Sequence, residues 1–228
     1  MQRKKARGRS RDRDYTKTVL LNAAERLFAT DGFNATSLRD ITSAARANLG
    51  AVNYHFRSKD DLILAVLQRR LRPINGDRLA LLDQFEKRAG KRAVPIEKIL
   101  EAFFRPALDL ATGSGRRGEQ FVRLVAHSFA NSGAFLRPLI EEEFGERNRR
   151  FHAAMRRSVP YLSSDEIHWR LHFANGVFLH TIANAHVLEL SSGGRCRLGK
   201  NSERVLEKMI AFCAAGFEAR REQGKGRQ

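Results

Sequence analysis

The sequence predicts an all-α protein: a small three-helix module near the N-terminal end, followed by a larger helical body. Three observations carry this expectation. No run alternates cleanly between apolar and polar residues, as a half-buried strand would, whereas apolar spacings of three and four recur along the chain. Helix-start signals crowd into residues 36–61. Clusters of Gly, Pro, Ser and Asn then divide the remainder into segments of helical length.

The first helix is expected from Tyr15 to Thr30, with Val19, Leu20, Ala23, Ala24, Leu27 and Phe28 along one side and Asp31-Gly32 as the stop. Ser37 and Asp40 form a capping-box arrangement, in which each side chain answers a free backbone N–H. It opens a two-turn helix with Leu38, Ile41 and Ala44 or Ala45 inward. Arg46-Ala47-Asn48 breaks the pattern, and Asn48 can cap a second short helix from Leu49 to about His55. Ser58 with Asp61 repeats the cap and opens a longer helix through Leu62, Ile63, Ala65, Val66 and Leu67. Pro73 and Asn75-Gly76 are expected to kink or end it. Further helices are expected near 75–88, 96–111, 118–131, 134–158, 165–191 and 202–222. Asp165-Glu166 supplies acid to a first turn, where the helix dipole favours it.

With 228 residues and 42% hydrophobic composition, the chain can bury a real core. No apolar run approaches the roughly 18 residues that a membrane helix needs. The basic N-terminus lacks a following apolar segment, so neither a span nor a signal peptide is expected and the placement is cytoplasmic. Cys196 and Cys213 form no CxxC pair and are too few for a disulfide framework or structural zinc. Of the net charge of +17, residues 1–13 carry seven Lys/Arg against Asp12, whereas residues 14–60 contribute only +1. A disordered basic arm over 1–13 attracts polyanions, nucleic acid first and an acidic membrane surface second; a solubilising tail is the alternative.

Two short helices joined by a tight turn and backed by an apolar helix make a helix-turn-helix, whose second helix enters the major groove of DNA. Val52 and Phe56, four apart, pin that helix to the core and leave Leu49, Gly50, Ala51 and Asn53 toward the groove. Asn can read adenine with two hydrogen bonds, and Ala and Leu can touch a thymine methyl. Gly50 lets the backbone come close. Tyr54, His55 and Lys59 at the helix end suit phosphates, which fix register without specifying sequence. For Tyr54 and His55 the alternative is that they cover the small core.

Residues 16–62, with "AAERLFATDGFNATSLRDITSAARANLGAVNYHFRSKDDL", resemble the DNA-binding domain of the TetR family of one-component transcriptional regulators. The LF..DGF..TS..DI spacing, the short second helix and the YHF.SKDDL exit occur together and in order. The resemblance implies a dimer on double-stranded operator DNA and a helical C-terminal domain that binds a small inducer. By position it implies that Thr36 and Ser37 donate to phosphate, that Asn48, Leu49, Gly50, Ala51 and Asn53 meet bases, and that Tyr54, His55 and Lys59 meet the backbone. Arg39, on the short helix that precedes that second helix, joins the DNA-contacting set. Position 53 is often aromatic in the family, so Asn53 is a departure and no operator sequence can be transferred.

The stretches "FVRLVAHSFANSGAFLRPLIEEEFGE" and "IHWRLHFANGVFLHTIANAH" are similar to a branch that regulates fatty-acid metabolism in response to long-chain fatty acids or their CoA esters. Physically, Phe103, Phe104, Leu108, Phe121, Leu124, Val125, Phe129, Trp169, Phe173 and Leu179 supply apolar surface for a ligand tunnel, or for an ordinary core. Arg105, Arg123 and Arg170 lie beside them and could meet a carboxylate or phosphate head group. Small residues between Trp169 and Leu190, and the stripe Val205, Leu206, Met209, Ile210, Cys213, Gly216 and Phe217, suit a four-helix homodimer interface; closing the monomer core is the alternative. His168 and His172 are four apart, but HWRLH lacks the internal Glu of HExxH and no third ligand has a defined spacing, so no metal is expected. With no phosphate loop and no nucleophile elbow, neither a cofactor nor an enzyme is expected. The expected division is an arm over 1–13, a DNA-binding module over 14–60, a ligand-binding and dimerisation body over 61–222 and a flexible tail over 223–228. The expected function is repression relieved by a hydrophobic small molecule, a long-chain fatty acid or acyl-CoA first. The alternative is control of an efflux or catabolic operon by an aromatic or other hydrophobic compound.

Overall fold

The computed structural model describes residues 2–113, 118, 124–125, 137–198 and 202–219, with nine helices and no strand among them. The chain divides into two compact units, residues 1–73 with 120–143 and residues 74–119 with 144–228. Most of the expected helix over 118–131, the beginning of that over 134–158 and the tail over 223–228 lie outside the described residues.

In the first unit, α1 (Gln2–Ala35) buries Leu20, Leu21, Ala24 and Phe28, a three-and-four spacing that lines one stripe of a helix. Its range begins at Gln2. Gly32 interrupts the helix with φ 82 and ψ 169, a backbone conformation that only glycine adopts readily.

α2 (Leu38–Ala45) starts on the expected capping box. The Ser37 backbone N–H and hydroxyl donate to Asp40 Oδ2 at 2.8 and 2.6 Å, and the Asp40 N–H donates to Ser37 Oγ at 3.2 Å. The Ser37 hydroxyl, and then its backbone N–H, hold the Asp40 carboxyl below the usual carboxylate range. α2 ends at Arg46, a non-glycine residue in the left-handed region (φ 50, ψ 39). That conformation costs about 1 kcal/mol, and it turns the chain into α3 (Leu49–His55). α4 (Lys59–Ala89) opens with the Asp61 N–H donating to Ser58 Oγ at 3.0 Å. Within this unit α1 and α4 are tied by Glu25, which is buried and accepts from Arg69 and from Arg70, the latter at 2.9 Å.

α4 runs unbroken through Pro73 and Gly76, where a kink or a fresh start was expected. Pro73 removes one backbone N–H, but Leu71 and Ile74 are buried on either side of it, and that packing outweighs the lost bond.

The second unit holds the later part of α4, α5 (Ile96–Gly113), most of α6 (Arg137–Ser158), α7 (Ser164–Ala183), α8 (Ala185–Ser191) and α9 (Ser202–Glu218). Phe103 meets Phe104 and Phe151 edge-on at 5.5 and 5.4 Å, and Phe104 stacks on Phe178 at 5.8 Å. The single helix expected over 165–191 is two, divided at Asn184, whose N–H still donates to the His180 carbonyl at 3.0 Å. α9 ends at Glu218, short of the expected 222.

Ser37→Ala removes the acceptor that caps α2. It should destabilise the chain by about 1 kcal/mol, read as a lowered urea midpoint with an unchanged slope. No change in midpoint would mean that the box does not support the fold.

Candidate functional site

The α2–turn–α3 segment displays a polar and small-residue face. α3 has only seven residues, too few to persist alone, so its orientation comes from Val52 and Phe56, which are buried at 0% and 5% exposure. With that row inward, Leu49, Gly50, Asn53 and Tyr54 are exposed, and Ala51, His55 and Lys59 are half-buried. Ser37, Arg39 and Asn48 also stand at the surface. The rings of Tyr54 and His55 meet edge-on at 5.1 Å, and His55 continues to Phe56 at 6.1 Å. Tyr54 is therefore half of an aromatic pair that leans on the core while remaining 65% exposed.

Two of the expected DNA contacts take on a different character. Thr36 is 2% exposed and its hydroxyl donates to the Gly32 carbonyl at 2.8 Å. It ties α1 to the start of α2 and cannot serve as the expected phosphate donor. Asn48 caps α3 by accepting from the Ala51 N–H at 2.8 Å. Its acceptor oxygen is thereby committed, so it offers a partner only amide N–H donors. The Gly50 position serves that cap as well as any close approach, because a Cβ there would lie 3.3 Å from Asn48 Oδ1.

The expected ligand-binding residues fall in both units. Phe103, Phe104 and Leu108 are buried in the second unit, whereas Leu124 and Val125 are buried residues of the first. Phe121, Arg123 and Phe129 lie outside the described residues. Trp169 and Phe173 stack at 5.7 Å on the outer side of α7 and are 58% and 60% exposed. They face outward because the opposite stripe of α7, Ile167, Ala174, Phe178 and Ile182, fills the core. With Phe212 of α9, Phe173 borders a cleft of about 440 Å³ that includes Val177 and Gly216. Leu206, Met209, Cys213 and Phe217 close the core from α9, so these two helices pack inward on one stripe and leave another apolar stripe open.

Neither described arginine of the expected head-group set is available. Arg105 Nη1 and Nη2 donate to the Glu203 carboxylate at 2.8 and 2.7 Å, and its Nε donates to Glu101. Arg170 Nη1 donates to the carbonyls of Gly216, Phe217 and Ala219 at 2.6, 3.0 and 2.8 Å, capping the end of α9, and pairs with Glu166. Two other arginines, Arg78 and Arg147, lie in the aromatic core of this unit. Both interrupt apolar helix stripes, Ile74–Arg78–Leu82 and Phe144–Arg147–Phe151. That interruption was the sequence signal that could have found them. His168 turns to the Ser164 carbonyl (2.8 Å) and to the His152 ring (4.5 Å). Among the described residues no three His, Cys, Asp or Glu side chains converge as metal ligands, and no helix is long and apolar enough to cross a membrane.

A seven-residue helix capped by Asn48, anchored by two apolar residues and showing the opposite face, backed by α1 and α2, defines a helix-turn-helix regulator of the DNA-binding class. The chain belongs to the TetR family: the C-terminal domain described as tetracyclin repressor-like matches residues 101–216, and the N-terminal domain of the bacterial tetR-family regulatory proteins matches residues 20–66. Members of this family bind operator DNA as dimers and respond to small molecules. An HTH-type transcriptional repressor of Mycobacterium tuberculosis is 46% identical over 55 residues, 24% of this chain and 29% of its own length. The HTH-type transcriptional activator FasR of Mycolicibacterium smegmatis is 35% identical over 99 residues, 43% of each chain. The chain thus spans less than half the length of these curated relatives. The crystal structure of HlyIIR, a hemolysin II transcriptional regulator, superposes with a TM-score of 0.57 at 16% identity, covering 88% of this chain and 97% of that one. That likeness shows the fold.

Asn48→Asp keeps a capping acceptor and should leave stability within about 0.5 kcal/mol of wild type. It also sets a carboxylate on the exposed face, and binding to a DNA duplex should fall at least tenfold by fluorescence anisotropy. Undiminished binding would remove this face from the interface.

Proposed function

We propose that the chain is a dimeric, effector-responsive transcriptional repressor that holds its operator through α2 and α3 of two subunits. The observation that carries this reading is the face of α3 left outward by the Val52 and Phe56 anchors. Leu49, Gly50, Ala51 and Asn53 meet base edges, with Asn53 specifying adenine and Asn48 adding a donor. Ser37, Arg39, Tyr54, His55 and Lys59 hold phosphates. Residues 14–60 form the DNA-binding module and 61–222 the effector and dimerisation body. The open stripe of Trp169, Phe173 and Phe212 supports dimerisation, since a partner would cover large apolar groups that otherwise stay in water. Two such modules span half-sites about one helical turn, roughly 34 Å, apart.

Repression follows the Mycobacterium tuberculosis relative, whose similarity covers the DNA-binding module. The effector is a hydrophobic small molecule with long-chain fatty acids or acyl-CoAs as the leading class, supported by the aromatic core around Phe103 and Phe104. Such an effector must bind the DNA-incompetent form more tightly than the competent one, because equal affinity for both shifts nothing. An operator selected from random duplexes and placed before a reporter should lower expression, and long-chain acyl compounds should restore it. Raised expression on operator binding would replace repression by activation.

Asn53→Ala should weaken binding to the selected operator by about ten- to hundredfold and relax the preference at one adenine, since a bidentate base contact discriminates by about 1–3 kcal/mol. Unchanged affinity and preference would place Asn53 outside the contact. Deleting residues 2–12 should weaken operator binding and reduce the slope of log K against log salt, because a module of net charge +1 has few cations of its own. An unchanged slope would free the basic extension from any part in binding.

A further inference from the structure

Most half-buried arginines of the second unit are matched with acids: Arg105 with Glu101 and Glu203, Arg150 with Asp83 and Glu86, Arg170 with Glu166. Arg78 and Arg147 have no acidic partner among the described residues. Arg78 is 5% exposed, and its Nε donates to the Phe103 carbonyl at 2.7 Å and its Nη1 to Asn75 Oδ1 at 3.3 Å, both neutral acceptors. Arg147 donates from Nε and Nη2 to Asn148 Oδ1 at 3.2 and 2.7 Å. The two cations meet at one ring, with their Cζ atoms 4.6 and 5.4 Å from the Phe103 centroid, and Arg147 also lies 4.2 Å from the Phe144 ring.

Arg78 Nη2 and Arg147 Nη1 therefore have no protein acceptor among the described residues. The one fully enclosed side-chain nitrogen or oxygen without a hydrogen bond among those residues is Arg69 Nε. Burial pushes the Arg147 guanidinium down to about 10. Burial, and then the Arg147 charge, depress Arg78 well below an ordinary guanidinium. Two desolvated cations on one ring, with no acidic partner among the described residues, are costly to hold, and an anion bound by both removes that cost.

We propose that Arg78 and Arg147 form an anion subsite that takes the carboxylate or phosphate head of an amphipathic ligand, with Phe103 and Phe144 as the apolar wall beside it. The proposal rests on the effector-responsive reading above and names the chemistry of that effector's polar end. Guanidinium groups suit it because their planar N–H pairs match the oxygens of carboxylate and phosphate.

The test compares dodecanoate, dodecyl phosphate and dodecanol by titration calorimetry on the full chain. Wild type should bind at least one of the two anions about ten- to hundredfold more tightly than the alcohol, the margin of a charge-assisted hydrogen bond. The tighter anion identifies a free acid or a phosphorylated ester as the source. Arg147→Gln should lose the margin and Arg147→Lys should retain most of it; Arg147→Met, which keeps the packing on Phe144, replaces the glutamine variant if circular dichroism shows that variant unfolded. Equal binding of all three probes by wild type, or a margin preserved without the Arg147 charge, overturns the subsite. Release of operator DNA is measured separately by anisotropy. Release by acid and alcohol alike would keep the regulator and overturn the subsite, whereas arginine-dependent binding without release would keep the subsite and overturn the effector reading.

Discussion

Everything exposed on α3 depends on Val52 and Phe56 being buried together. A helix of seven residues forms few internal hydrogen bonds and nucleates poorly, so it holds its shape through what it is packed against. Two anchors four residues apart define one stripe, and burying that stripe leaves little freedom to rotate the helix about its axis. The polar face is a consequence of the apolar one. The same economy sets the ends of the unit: Asn48 closes the first turn with its own side chain, and Arg46 accepts a left-handed backbone so that α3 can leave α2 at a sharp angle. Thr36 belongs to this frame, since its buried hydroxyl ties down the glycine kink that ends the regular part of α1.

The first unit carries a second, costlier tie. Glu25 is buried and pairs with both Arg69 and Arg70, while Arg69 also donates to Asn22 at 2.8 Å. Desolvating three charges offsets much of their attraction, so such a group contributes little net stability compared with an apolar replacement. Removing one member, however, strands the others.

The helical caps and the inward rows were legible because they depend on neighbours three or four residues away in sequence. Ser37 with Asp40, Asn48 before Leu49, and Ser58 with Asp61 all cap helices as their spacing requires. The failures have a common cause, which is competition between a local signal and distant packing. Pro73 and Gly76 are local breakers, yet burial of Leu71 and Ile74 carries α4 through them. Trp169 and Phe173 are large and apolar, but composition cannot say which of two apolar stripes on α7 faces the core; the stripe through Ala174 and Phe178 does. Arg105 and Arg170 stood beside aromatic residues in sequence, but their acceptors, Glu203 and the last carbonyls of α9, lie far along the chain. Which arginines are spent and which are spare is therefore a tertiary property.

That distinction bears on how a ligand could change the conformation of such a protein. Apolar burial contributes about 25 cal/mol per Å², so a tenfold preference between two forms requires roughly 55 Å² of difference in buried area. Charges act more steeply: at an effective dielectric of about 20, separating two unit charges from 4 to 6 Å changes their energy by about 1.4 kcal/mol, the same tenfold. A displacement of 2 Å within a packed helical unit is far smaller than a repacking of its core. A ligand whose anionic head is held by Arg78 and Arg147 would thus discriminate between two arrangements of α4 and α6 through its head, while its apolar portion supplied affinity common to both. The head would then supply both part of the affinity and the discrimination, so a neutral analogue would bind more weakly and would not switch.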